Sequence, residues 1–303
     1  MLEYYKLTIQ EFTMFAMRKI IKLLLPVLLS TTSIHAQETD FSELSSIIDS
    51  FIDNSDKLKE KTNIAGKQRM LTQRMTKLAL LIEEDIKRKK NIKKLNKATK
   101  HYSDNLETLE SDNPKIHQQL EVIKKLWSPF LKNIENIIQK KEEKKALQYL
   151  IDNNKELLQS SNKLVSIYEN SEANLNYLDK AKLNIVNLAG RQRMLLEKMS
   201  KEKILLFKNN SDYKKELSSS IANFDQALQQ LKKGDNKKHL PRVTNPKLIE
   251  KLNVIEPLWK ELKPLYKKNK LTKKELSKLI RKSSLLLLES NIYVKLIEIE
   301  TEY

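Results

Sequence analysis

The chain repeats itself, and a duplicated unit constrains a fold more than any single motif does, because each copy has the same face to bury. Asn63-Ile64-Ala65-Gly66-Lys67-Gln68-Arg69-Met70-Leu71 returns 124 residues later as Asn187-Leu188-Ala189-Gly190-Arg191-Gln192-Arg193-Met194-Leu195. Asn113-Pro114-Lys115 returns as Asn245-Pro246-Lys247, now at an offset of 132, and Val122-Ile123 through Leu126-Trp127 returns as Val254-Ile255 through Leu258-Trp259 at the same offset. Ser161-Asn162 near Val165 matches Ser290-Asn291 near Val294. The added residues fit the loop Lys232–Thr244, which carries a glycine, a proline and a basic cluster.

Each copy reads as four helices. In the first, a long helix is predicted from about Phe41 to Arg88 and a second from about Ile92 to Leu109. A third opens at Pro114 behind an Asn cap and ends near Gln139, and a fourth begins near Lys144. Tyr213–Lys232, Pro246–Lys267 and Thr272–Glu300 complete the second copy, with Pro257 and Pro264 placed to kink its third helix. Three glycines in 303 residues are too few for the turns of a sandwich, a propeller or a doubly wound sheet. The predicted fold class is therefore all-α, as two tandem antiparallel four-helix bundles. No Pro or Gly lies between Pro129 and Gly190, so the fourth helix is free to continue into the second copy as one long shared helix.

Residues 17–36 have the order of a secretory signal peptide: basic Arg18, Lys19 and Lys22, a short apolar core Leu23–Leu29, and a small polar stretch ending at Ala36. Translation is read as starting at Met17, with cleavage after Ala36. The division is then a signal peptide over 1–36, a first repeat over 37–169 and a second over 170–303. No later apolar run is long enough to cross a bilayer, so the mature chain is expected to be exported, soluble and periplasmic. The absence of cysteine excludes disulfides, thiolate zinc sites, a cysteine nucleophile and a lipoprotein anchor. A net charge of +18 raises nucleic-acid binding, but the lysines are spread over many helices near Glu or Asp, and no aromatic-rich basic groove appears. They read as a solvated helix surface, and nucleic acid is not an expected partner.

The motif carries the chemistry. A glycine inside a helix costs about 1 kcal/mol relative to alanine, so Gly66 and Gly190 point to a close approach. At 100° per residue, the stripe Leu44, Ile48, Phe51, Leu58 continues into Ala65, Arg69, Thr72 and Thr76, while Leu71, Met75, Leu78 and Ile82 lie on another face. The helix is thus expected to change its buried side near Gly66 and to turn Arg69, and likewise Arg193, toward a neighbouring helix. A guanidinium there needs a counter-charge. Either an Asp or Glu on another helix supplies it, or two arginines share a small anion through charge-assisted hydrogen bonds.

Asn-x-Ala-Gly-x-Gln-Arg-Met-Leu, present twice, resembles the signature of the type IV pili methyl-accepting chemotaxis transducer N-terminal (PilJ-type) sensor domain. It is also similar to the periplasmic motif of nitrate/nitrite sensor histidine kinases. The resemblance implies that Arg69 and Arg193 hold a nitrate-like anion, that Gly66 and Gly190 let helices approach closely, and that Asn63 and Asn187 belong to the same ligand site. It implies a sensor-type ligand-binding protein, or alternatively an interaction module for a membrane receptor or pilus-associated signalling protein without a small ligand. Those relatives carry a transmembrane helix and a cytoplasmic signalling module that are not seen here. Glu197-Lys198 stands where the first repeat has Gln73-Arg74, so the halves are not equivalent.

Other residue types give little. Trp127 and Trp259 read as core anchors, and Met70, Met75, Met194 and Met199 as packing. His101 and His117 read as surface residues. Glu83, Glu84 and Asp85 lack the Glu-x-x-His of a di-iron bundle, and no nucleophile elbow or glycine-rich loop is present. No enzyme activity, cofactor or metal is expected. Attachment to peptidoglycan or a membrane surface through the basic loop Lys232–Arg242 is a third reading.

Overall fold

A computed structural model of the chain describes residues 60–171, 177–238 and 240–299. The signal-peptide reading, the stripe Leu44–Leu58 and the proposed continuation between the fourth and fifth helices lie outside the described residues. Among those described, the chain is built of eight α-helices and one short 3₁₀ turn, with no strand. They are α1 (Glu60–Glu83), α2 (Arg88–Thr108), α3 (Pro114–Ile138), α4 (Glu143–Ser171), α5 (Tyr177–Phe207), α6 (Tyr213–Lys233), α7 (Pro246–Lys267) and α8 (Lys273–Ile299). The fold is all-α, as the helical periodicity and the scarcity of breakers predict.

Two boundaries are set by side chains legible in the sequence. Asn113 Oδ1 accepts from the backbone N–H of Lys115 at 3.0 Å and of Ile116 at 3.4 Å, and Asn245 repeats this on Lys247 and Leu248 at 3.0 and 3.4 Å. In each case proline follows as the first helical residue, where its missing N–H costs nothing. Helix α2 begins at Arg88, one turn before the expected Ile92, because the α1–α2 connection is only four residues long. That turn is tight without glycine: Ile86 N–H reaches Leu81 O at 2.9 Å and Asp85 N–H reaches Ile82 O at 3.1 Å, with Asp85 at φ 55°. The same pair of bonds closes α3 around Lys140 (φ 57°) and α5 around Asn209 (φ 64°). These are Schellman caps built on residues that pay the left-handed penalty glycine would avoid.

Helix α1 packs on α2, α4 and α5, while α3 packs on α4; α5 packs on α6, α8 and α1, and α7 on α8. Each run of four helices is thus an antiparallel bundle, with α1 and α5 lying against each other between the two. They run parallel and in register, since Arg74 meets Glu197 and Glu83 meets Lys208. The repeat shows in the cores. Trp127 lies 4.3 Å from the Tyr102 ring and donates to Ser103 Oγ at 3.2 Å; Trp259 lies 4.3 Å from Phe224 and donates to Asp225 Oδ1 at 2.7 Å. Both tryptophans are core anchors.

Two sequence expectations are corrected. Past Gly66, helix α1 does not bury one side in place of another: Ala65, Arg69, Thr72 and Thr76 are buried, and so are Leu71, Met75, Leu78 and Ile82. A helix flanked by three others has no solvent face, and amphipathic reasoning presumes one. For the same reason Lys67, Lys77, Lys201 and Lys203 are interior and not part of a solvated lysine surface. His101 is half-buried, with Nε2 inside the protein, while His117 is exposed.

Candidate ligand site between the motif helices

Side chains on a helix lean toward its N-terminus, so Arg69 folds back over Gly66, three residues earlier, and Arg193 over Gly190. A Cβ on Gly66 would stand 3.4 Å from Arg69 Nη2, and one on Gly190 would stand 3.3 Å from Arg193 Nη2 and 3.9 Å from Arg69 Nη2. Among the described residues, neither would meet another helix's backbone within 4 Å. The glycines therefore clear room for guanidinium heads, where the sequence pointed to close approach of helices.

Both heads sit in the α1–α5 seam, with Arg69 and Arg193 only 6% and 5% exposed. Each reaches the asparagine that opens the opposite motif. Arg69 Nη2 donates to Asn187 Oδ1 at 2.7 Å, and Arg193 Nη2 donates to Asn63 Oδ1 at 3.1 Å. The six motif residues singled out in the sequence are thus brought together in one reciprocal arrangement. The halves then diverge. Asn187 donates its Nδ2 to Glu169 on α4, whereas Arg193 Nη1 donates to Asn291 Oδ1 on α8 at 3.3 Å.

Of the two counter-charge solutions open in the sequence, neither is met by direct contact at Arg69 among the described residues: its head donates to the neutral amide of Asn187. Burial pulls its guanidinium down to about 10; the Glu169 carboxylate works against this, and the like charges of Arg193 and Arg191 add to it. Its Nε is buried without an acceptor among the described residues. A desolvated cation with a spare N–H is an unfavourable arrangement that an anion would relieve.

Beyond the arginines, the seam continues as polar layers. Asn154 on α4 donates to Thr72 O and Thr76 Oγ1, both at 2.9 Å, and accepts from Lys201 Nζ at 2.5 Å. Burial lowers the Lys201 ammonium to about 8. Glu197 ion-pairs with Lys77 and, at 3.4 Å, with Arg74. Burial pushes this carboxyl upward, but the two cations outweigh it and hold it below the usual range. The Glu197 that breaks the repeat's symmetry thus adds an ion-paired tie between α5 and α1 to the arginine–asparagine pairs. Asn154 and Asn291 were missed as participants by sequence reasoning; the one available signal was that Ser290-Asn291 recurs with Ser161-Asn162. Among the described residues, no cluster of His, Asp and Glu could hold a metal ion, and no helix is long and apolar enough to cross a membrane.

No curated protein and no solved structure matches the chain. A family model does match, over residues 50–152 and again over 157–282: the N-terminal domain of type IV pili methyl-accepting chemotaxis transducers, PilJ. The two matches carry one motif each and together cover most of the sequence, so the chain belongs to the PilJ family of chemotaxis-transducer sensor-type domains, in two tandem copies.

Proposed function

We propose that the protein is an exported, periplasmic sensor-type binder that holds a small nitrate-like anion between α1 and α5, and that it catalyses nothing. Arg69 and Arg193 are the ligand cations; Asn63 and Asn187 orient them, and Gly66 and Gly190 leave them space. The observation that carries this reading is the state of Arg69. Its cation is buried beside like charges, and its Nε–H has no acceptor among the described residues. A planar oxyanion offers several acceptors and a full negative charge, and each charge-assisted hydrogen bond contributes about twice what a neutral one does. Export rests on the order of Arg18–Lys22, Leu23–Leu29 and Ala36, and the two domains are taken as 37–169 and 170–303.

Titration calorimetry on residues 37–303 with nitrate, nitrite and chloride, paired with melting curves, tests the proposal. Wild type is expected to bind an oxyanion and to melt higher with it, and Arg69→Ala and Arg193→Ala to lose both effects. Absence of heat with every anion would leave the chain an interaction module and end the proposal.

A further inference from the structure

The α1–α2, α3–α4, α5–α6 and α7–α8 connections meet at one end of the molecule. Lys208, just after α5, holds Glu83 and Glu84 at the end of α1. Arg88 grips Glu143 at the start of α4 through two bonds of 3.0 and 2.9 Å, and Lys273 on α8 donates to the Glu84 carbonyl at 3.0 Å. These contacts occupy Glu83, Glu84 and Glu143, and Lys268 occupies Glu275 at 2.6 Å. What still faces water is largely of one sign. Lys89 and Lys93 on α2, Lys140 and Lys144 around the α3–α4 turn, and Lys270 and Lys274 around the α7–α8 turn are exposed, and none is in an ion pair among the described residues. Asp85, Asp212 and Glu216 remain exposed beside them, as does Glu142, which pairs with Lys145 at 3.5 Å.

We infer that this end docks on the surface of an anionic lipid bilayer. The array is made of lysine ammonium groups, which act as point charges and lack the fork with which arginine reads one carboxylate or phosphate. They stand on three separate connections and converge on no single point, an arrangement that senses charge density over an area. A leaflet of anionic headgroups has that character, and juxtaposed lysines add attraction within about a Debye length of it. The turns beneath are held by the Schellman caps at Asp85 and Lys140, so flexible stems project from a firm base. This face is at the opposite end from the loop Lys232–Arg242, where Lys232 is engaged with Glu256.

The test is co-sedimentation of the full mature chain with vesicles of phosphatidylcholine alone or mixed with phosphatidylglycerol. Wild type is expected to bind the anionic vesicles about tenfold more strongly, and to lose that preference as salt shortens the screening length from about 10 Å at 0.1 M to about 3 Å at 1 M. The variant Lys89→Glu, Lys93→Glu, Lys270→Glu, Lys274→Glu is expected to lose binding while keeping the wild-type melting temperature. A control of equal charge change at the other end, Lys115→Glu, Lys163→Glu, Lys237→Glu, Arg242→Glu, is expected to keep it. No preference for anionic vesicles, or equal loss in the control, overturns the inference; equal loss would reduce the effect to net charge.

Discussion

At the scale of single residues, this chain accepts local penalties where a glycine would be free. Lys140 closes α3 in the left-handed region, at a cost of roughly 1–2 kcal/mol for an L-residue. Lys140→Gly is therefore expected to raise stability by about 1 kcal/mol in urea unfolding. The motif glycines behave in the opposite way. Gly190→Ala gains about 1 kcal/mol of helix propensity, yet its new methyl crowds the Arg193 head at 3.3 Å and touches the Arg69 head at 3.9 Å. It should melt near wild type and show a weakened anion-dependent shift, which paired melting curves would read. Lys201 gives a pH signature. Its folded pKa of about 8 lies below the ordinary 10.5, so the fold disfavours its ammonium, and that cost is complete below pH 8. As pH rises from 8 through 10.5 the cost disappears, and stability should climb by up to about 3 kcal/mol. Lys201→Met should flatten that rise in denaturant titrations at stepped pH.

At the scale of helices, the α1–α5 pair depends on a buried carboxylate at a position where the first repeat has Gln73. Removing one partner of a buried ion pair typically costs about 3–5 kcal/mol, so Glu197→Gln should destabilise by about 3 kcal/mol, leaving Arg74 and Lys77 facing a neutral amide. Because its carboxyl is held below the usual range, this contribution is present above the unfolded pKa near 4.5 and is lost as pH falls through the lower folded value. Wild type should therefore weaken on acidification more than the variant does, a comparison that melting temperatures at stepped pH would make. Helix order and caps were legible because Asn113-Pro114 and Asn245-Pro246 act locally. The burial of α1 was not, since it depends on α4 and α5 closing over a face that reads as polar. Thr72 and Thr76 continue the line of Ala65 and Arg69 in the sequence, but nothing there names Asn154 as the group hydrogen-bonded to them.

At the scale of the molecule, the described helices fall within one compact unit, although the sequence repeats. Hydrogen bonds and ion pairs cross between copies at Arg69–Asn187, Arg193–Asn63 and Glu197–Arg74. Unfolding is therefore expected as a single cooperative transition with coincident fluorescence and circular dichroism curves; two separated transitions would mean that the copies unfold independently. The candidate site was half legible. Its motif residues could be named from their recurrence, but the reciprocal exchange between copies, and the roles of Glu169 and Asn291, required α4 and α8 to be in place. The proposed function depends above all on Arg69 offering a buried N–H to an anion. Heteronuclear NMR of the arginine Nε–H groups during a nitrate titration tests it directly. The Arg69 signal, assigned by its loss in Arg69→Lys, should shift in a saturable way and exchange more slowly with water. An Arg69 signal that stays in place at every nitrate concentration would contradict anion binding at this site.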